Sequence, residues 1–168
     1  MPIRLEPVSK SLFRTTLSRF ASGVTVITSA HGEDIAGTTV SAFASLSLDP
    51  PLVLACLDAT SATRAMIEQS RVFAVNILSR GQWALSERFA KRRQEGDPHQ
   101  FEGVDTDRAP SGSPILRGCH AVADCRVVAV HEGGDHRIYI GRVDAVGLGD
   151  GPSEPLLYHT GRYRLIDG

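Results

Sequence analysis

The sequence is short of most features that announce a function. Its three cysteines, Cys56, Cys119 and Cys125, are an odd number with no CxxC spacing. That argues against a disulfide framework and a structural zinc site, and it suits a reducing cytoplasm. No apolar run, Leu52 to Leu57 included, approaches the roughly 18 residues of a membrane span. Met1 to Lys10 lacks the apolar stretch of a signal peptide, so no export is read there. Neither sign of charge dominates: 18 Lys and Arg face 19 Asp and Glu, for a net charge of -1. The electrostatic footprint of a general nucleic-acid binder is therefore missing. His131, His136 and His159 have no metal-ligand spacing. There is no GxSxG, no Walker sequence, no GxGxxG after a strand, and no acid pair poised as an acid/base couple. An enzyme so equipped leaves the difficult chemistry to a bound organic cofactor.

What remains is ordinary globular composition. With 168 residues, 42% apolar and 22% charged, the chain reads as one domain over residues 1–168, able to bury a core without staples. Ser9 is placed to cap a helix whose Leu12, Phe13, Leu17 and Phe20 share a face, with Gly23 as its end. The texture then turns β-branched. Strands are expected over Val24–Thr28, Ile35–Ser41, Leu52–Leu57 and Val72–Leu78, with the first two forming a hairpin and Pro50-Pro51 opening the third. Short helices are expected from Ser61 to about Gln69 and over Gln82–Arg92, the latter anchored by Trp83 and Phe89.

The span Lys91–Ser113 is long for a structureless loop, so it should hold a turn of helix or cover something. Two long strands, Ala121–Val130 and Arg137–Leu148, follow, and a closing strand lies near Tyr163–Ile166. About seven strands clustered in hairpins disfavour a doubly wound parallel sheet and favour a mainly β fold, a closed or nearly closed antiparallel barrel with a few helices. Small residues on one face of Ala121–Val130 (Ala121, Ala123, Cys125, Val127, Ala129) suit a narrow interior.

Three segments carry candidate chemistry. Gly37 to Ser47 packs five hydroxyl side chains into eleven residues, which lets a ligand approach the backbone and offers uncharged hydrogen-bond donors; a plain Thr/Ser-rich strand edge explains it equally well. Asp58 to Arg64 places Ser61 at a helix start, where free N–H groups make a modest anion site unless Ser61 is only a cap. Gly133-Gly134-Asp135-His136 gives a tight turn and then a histidine at a strand rim.

Read together, these segments resemble the short-chain flavin reductase family. The likeness runs through Phe20-Ala21-Ser22-Gly23-Val24-Thr25-Val26-Ile27-Thr28, Thr38 to Phe43 and Ser45-Leu46-Ser47-Leu48-Asp49-Pro50-Pro51-Leu52-Val53-Leu54. It continues through Phe73 to Leu78, Arg88-Phe89-Ala90, Gly134-Asp135-His136 and Tyr158-His159-Thr160-Gly161-Arg162-Tyr163. The resemblance implies an antiparallel split β-barrel, a homodimer with flavin near the subunit interface, and NAD(P)H-dependent reduction of FMN or FAD. It also implies a separate oxygenase component that receives the reduced flavin.

Carried onto this chain, Thr38, Thr39, Val40, Ser41, Ala42, Ser45 and Leu46 would line the isoalloxazine and ribityl chain. Ala55, Cys56 and Leu57 would meet the ring through their backbone. Ser61 and Ala62, with Arg88 and Phe89, would meet the phosphate; Thr60 stands just ahead of that serine where many relatives carry Lys or Arg. His136, Tyr158 and Arg162 would form the side for NADH or NADPH, with His136 positioning the nicotinamide. A flavin carrier without nicotinamide turnover is the alternative, and it would have no need of the His136 segment. No metal, nucleic-acid or membrane partner is expected.

Overall fold

A computed structural model describes residues 3–91, 98–150 and 154–165. Helix α1 (Lys10–Leu17) starts where expected, with the Ser9 hydroxyl accepting from the Leu12 N–H at 3.2 Å, but it stops at Leu17 and buries none of its residues. Strands β1 (Ser22–Gly23), β2 (Thr25–His31), β3 (Asp34–Val40), β4 (Phe43–Leu48) and β5 (Pro51–Asp58) follow in quick succession. Next come α2 (Ala62–Ser70), β6 (Val72–Ile77) and a 3-10 turn (Arg80–Gln82) that runs into α3 (Trp83–Ala90). A second 3-10 turn (Pro98–Phe101) precedes β7 (Thr106–Arg108) and β8 (Pro114–Leu116). The chain continues through β9 (Ala121–Gly133), β10 (His136–Leu148), β11 (Leu157–His159) and β12 (Arg162–Arg164).

Seven strands form one antiparallel sheet in the order β3-β2-β6-β9-β10-β5-β4. Because every neighbour in this ladder is antiparallel, the two edge strands β3 and β4 run in the same direction. Only Ser41 and Ala42 separate them, too few residues to reverse and return. They are two halves of one bent strand, the first paired to β2 and the second to β5. The ladder does not close on itself, since β3 and β4 do not pair, and the architecture is a split barrel. A smaller sheet, β1-β11-β12, joins the two ends of the chain through Ser22 opposite Tyr158 and Gly23 opposite Leu157.

Alternation along β5 sets the inside. Val53, Ala55 and Leu57 are buried, whereas Leu52, Leu54 and Cys56 face outward and are half-buried. The inward residues join Ile27, Val40, Phe73, Val75, Cys125, Val127 and Tyr139 in the barrel core, and α2 adds Ile67. The interior is narrow: a Cβ on Gly141 would sit 2.9 Å from Phe73 Cε1 and 3.1 Å from Cys125 Cβ, so β10 needs glycine there. A second cluster on the outside of β2 packs Val24 and Val26 with Leu78, Phe89, Leu116 and Leu156.

Several sequence expectations need correction. The structure has more strands than the seven expected: β4 is a strand inside the hydroxyl-rich segment, and β11 is another. The β9–β10 link is only Gly134-Asp135, with Gly134 at φ +69°, the positive φ a two-residue hairpin wants at its first central position. Trp83 is no anchor; it opens α3 and stays 52% exposed, while Phe89 is fully buried. Among the small residues of β9, only Cys125 and Val127 are fully buried. Asp124 is buried because the turn around Ser111 covers it, donating from Ser111 N at 2.9 Å and Ser111 Oγ at 2.5 Å. The described part of the 91–113 span does hold a helical turn, and Phe101 and Val104 cover the second cluster. The closing strand is β12, shorter and earlier than expected; Ile166 lies outside the described residues.

Candidate functional site

Three cavities lie side by side on the outer wall of the barrel, along the bent strand. The first, of about 210 Å³, sits at the start of α2 between Thr38 and Thr39 on one side and Thr60, Ser61 and Ala62 on the other, with Lys91 at its rim. The Asp58 carboxylate shapes the approach to the helix by accepting from Thr60 N at 2.7 Å and Thr60 Oγ1 at 2.5 Å. Ser61 occupies the N-cap position in an extended conformation, yet its hydroxyl makes no capping bond. The first-turn N–H groups have no acceptor within the helix, so this end of α2 is equipped for an anion.

The second cavity, about 240 Å³, shares Thr39 and Ala90 with the first and adds Ser41, Ser86, Tyr158 and Tyr163. Here the Thr39 hydroxyl donates to the Ser86 carbonyl at 2.7 Å, and the Tyr163 hydroxyl donates to Ser86 Oγ at 2.9 Å. Tyr158 and Tyr163 meet edge to face, with ring centroids 5.6 Å apart. The third cavity, about 460 Å³, shares Ser41 and Tyr158 with the second and is walled by Phe20, Phe43, Leu54 and Cys56. Partial burial pushes the Cys56 thiol above its ordinary pKa, so it faces this slot as a neutral group. The shared residues make the three cavities one groove: anion-seeking at one end, hydroxyl-lined in the middle, apolar at the other.

Of the residues singled out in the sequence, Thr38, Thr39, Ser41, Ala42, Cys56, Ser61, Ala62 and Tyr158 line this groove. Val40, Ala55 and Leu57 turn their side chains into the barrel, leaving only backbone for a ligand. Ser45 and Leu46 lie further along β4, Leu46 at a register shift, and line none of the three cavities. Phe89 is buried with its ring edge-on to Phe101, and Arg88 is turned to the Glu102 carbonyl at 2.7 Å. Neither lines the anion-seeking cavity; Ala90 and Lys91, the next two residues, do.

Arg64 points along its helix to Glu68 at 2.6 Å. His136 stands at the hairpin base opposite Asp58, with Nδ1 2.7 Å from Asp135 Oδ1, outside the groove wall. That bond holds the Asp135 carboxyl below the usual carboxylate range. Arg162 is exposed on β12, opposite His159.

Sequence reasoning missed Lys91 and Ser86, and it quoted Gly37, Phe20, Phe43, Leu54 and Tyr163 within its segments without giving their side chains a place in the site. Gly37 had a readable reason only in three dimensions: a Cβ there would lie 2.8 Å from Phe89 Cε1 and 3.2 Å from Phe101 Cζ. Lys91 borders the same cavity as Thr60 and brings a positive charge to its wall. The groove's sequence of chemistries fits a flavin nucleotide: a phosphate, a hydroxylated chain and a flat apolar ring, in that order.

The comparisons with known proteins agree. Residues 17–167 match the flavin reductase like domain, and the chain belongs to that family. It is 41% identical over 165 residues to HsaB of Rhodococcus jostii, the reductase subunit of a flavin-dependent monooxygenase, covering 98% of this chain and 82% of that one. It is also 41% identical over 158 residues to the reductase component of a 4-hydroxyphenylacetate 3-monooxygenase from Thermus thermophilus, covering 94% and 97% respectively. Among solved structures, the NADH:FAD oxidoreductase SgcE6 of Streptomyces globisporus superposes with a TM-score of 0.90 at 33% identity over 100% of both chains.

Proposed function

We propose that the groove seats a flavin with its phosphate at the start of α2 and its ring in the slot between Phe43, Leu54, Cys56 and Tyr158. The activity is reduction of FMN or FAD by NADH or NADPH, and the reduced flavin passes to a separate oxygenase component. The continuity of the groove, from an unused helix cap beside Lys91 to an apolar slot, is the observation that carries this seating. When bound, the flavin supplies the hydride acceptor, which receives hydride from the nicotinamide.

The residues of the chain then have positioning work only. The α2 N–H groups and Lys91 hold the phosphate by charge and hydrogen bonds. Thr38, Thr39 and Ser41 offer hydroxyls along the middle. Leu54, Phe43 and Phe20 exclude water from the slot, where close approach of two rings supplies most of the rate. His136 and Arg162, outside the groove wall, are assigned to the nicotinamide nucleotide, with His136 as a positioning group.

The molecule is a homodimer in this reading. Phe13 is 56% and Leu17 52% exposed on α1, and Phe20, just past its end, is 78% exposed; the last two border the ring slot, so a second copy would cover α1 and finish the slot together. Among the described residues no helix is long and apolar enough to cross a membrane, and the three free cysteines suit a reducing cytoplasm.

Loss of nicotinamide absorbance is the test, measured with FMN, FAD and riboflavin against NADH and NADPH. Rapid oxidation that requires added flavin is expected. Tight flavin binding with no nicotinamide oxidation would return the chain to the carrier reading.

A further inference from the structure

We propose that Ser86 is a binding residue that recognises one hydroxyl group of the chain linking flavin ring and phosphate; this rests on the seating given above. Ser86 lies on α3, is 1% exposed, and lines the middle cavity. Its Oγ receives the proton of Tyr163 at 2.9 Å, so what it has left to give is its own hydrogen. That hydrogen has no acceptor among the described residues; the carbonyl of Gln82, the usual outlet for a serine inside a helix, receives no bond from it. A buried hydroxyl proton without an acceptor is unfavourable, and an oxygen in the cavity relieves it.

Thr39 is the complement. Its hydroxyl proton is committed to the Ser86 carbonyl at 2.7 Å, so only its lone pairs remain for the cavity. The two fixed protons leave Ser86 with a hydrogen to give and Thr39 with lone pairs to offer in the wall of one space, beside the hydroxyls of Ser41 and Tyr158. A group that both accepts and donates satisfies the pair, which is the description of an alcohol. The cavity lies between the anion-seeking end and the apolar slot, where the flavin side chain carries secondary alcohols. Tyr163 occupies one lone pair of Ser86 and leaves the serine its own proton to give.

The test compares riboflavin, which carries the hydroxylated chain, with lumiflavin, which has a methyl group in its place. Binding is read by quenching of flavin fluorescence in the wild type, Ser86→Ala and Tyr163→Phe. Ser86→Ala should weaken riboflavin about five- to tenfold, as expected for one hydrogen bond, and leave lumiflavin unchanged. Tyr163→Phe should keep the preference for riboflavin within about twofold of the wild type, since the serine keeps its proton to donate. Lumiflavin affinity doubles as the measure of an intact fold. Equal losses for both ligands in Ser86→Ala, or no loss for either, would overturn the role of Ser86 while leaving the flavin seating in place. A wild type that binds neither ligand would overturn the seating and this proposal with it.

Discussion

Lys91 and Arg88 are three residues apart, and their side chains have different tasks. Arg88 is occupied with the Glu102 carbonyl and fastens the covering segment, whereas Lys91 borders the cavity at the start of α2. Lys91→Ala should therefore weaken FMN several-fold and leave riboflavin, which has no phosphate, unaffected; paired fluorescence titrations check this. His136→Ala should raise the nicotinamide KM and leave flavin affinity where it was, because the imidazole lies outside the flavin groove. Steady-state kinetics with saturating flavin, beside a flavin titration, separate the two quantities.

The sequence carried half of this site. Hydroxyls at 38, 39 and 41 and the serine at 61 are legible as a chemical pattern, which in one dimension reads equally well as a strand edge and a helix cap. Lys91 was not legible, because nothing in one dimension says that the end of α3 faces the start of α2. Phe89 shows the converse: a residue inside a recognisable motif can be there for packing, with its ring fixed against Phe101.

Among the elements, the bent strand explains why β4 was overlooked. Residues 43 to 48 read Phe-Ala-Ser-Leu-Ser-Leu and lack the β-branched texture of β2, yet the chain has no room to do anything else between Ala42 and β5. Pairing with β5, and not propensity, makes it a strand. The opposite case is β6, whose Val72, Phe73, Val75 and Ile77 announce it plainly. At its centre, Asn76 is buried and unites three pieces: Nδ2 donates to Val26 O and Thr28 Oγ1 at 3.1 Å each, and Oδ1 accepts from Leu116 N at 2.8 Å. Thr28 in turn donates to Pro114 O at 2.5 Å. Asn76→Ala leaves the Leu116 N–H buried without a partner and opens a small void. A loss of about 2–4 kcal/mol in denaturant unfolding is expected, with β8 the first element to lose hydrogen-exchange protection.

For the whole molecule, burial of titratable groups sets the alkaline limit. Desolvation, with Asp124 and Asp144 nearby, pushes the Cys125 thiol up to about 12, and burial, with Glu68 next, pushes Tyr139 up to about 12. Both groups are neutral in either state at pH 8. As pH rises through 9 to 12 the unfolded chain releases these protons first and the native chain holds them, so unfolding binds fewer protons and stability falls. The slope should reach at most about 1.4 kcal/mol per pH unit for each group, and Cys125→Ala should flatten the onset near pH 9 in urea titrations. The proposed homodimer has its own check. Sedimentation at micromolar concentration should give twice the 18.1 kDa of the chain, and Phe20→Asp should return it to one copy.

The small sheet that joins β1 to β11 also bears on the order of folding. Tyr158 and Tyr163 close the groove, yet β11 meets β1 only after the whole barrel has intervened between Ser22 and Tyr158. Contacts of such long sequence separation are among the last to form. A growing chain that has completed β10 already holds every residue of the cavity at the start of α2, but the middle cavity waits for Tyr158 and Tyr163, which arrive with β11 and β12 as the Ser18 carbonyl takes the Thr160 N–H at 2.7 Å.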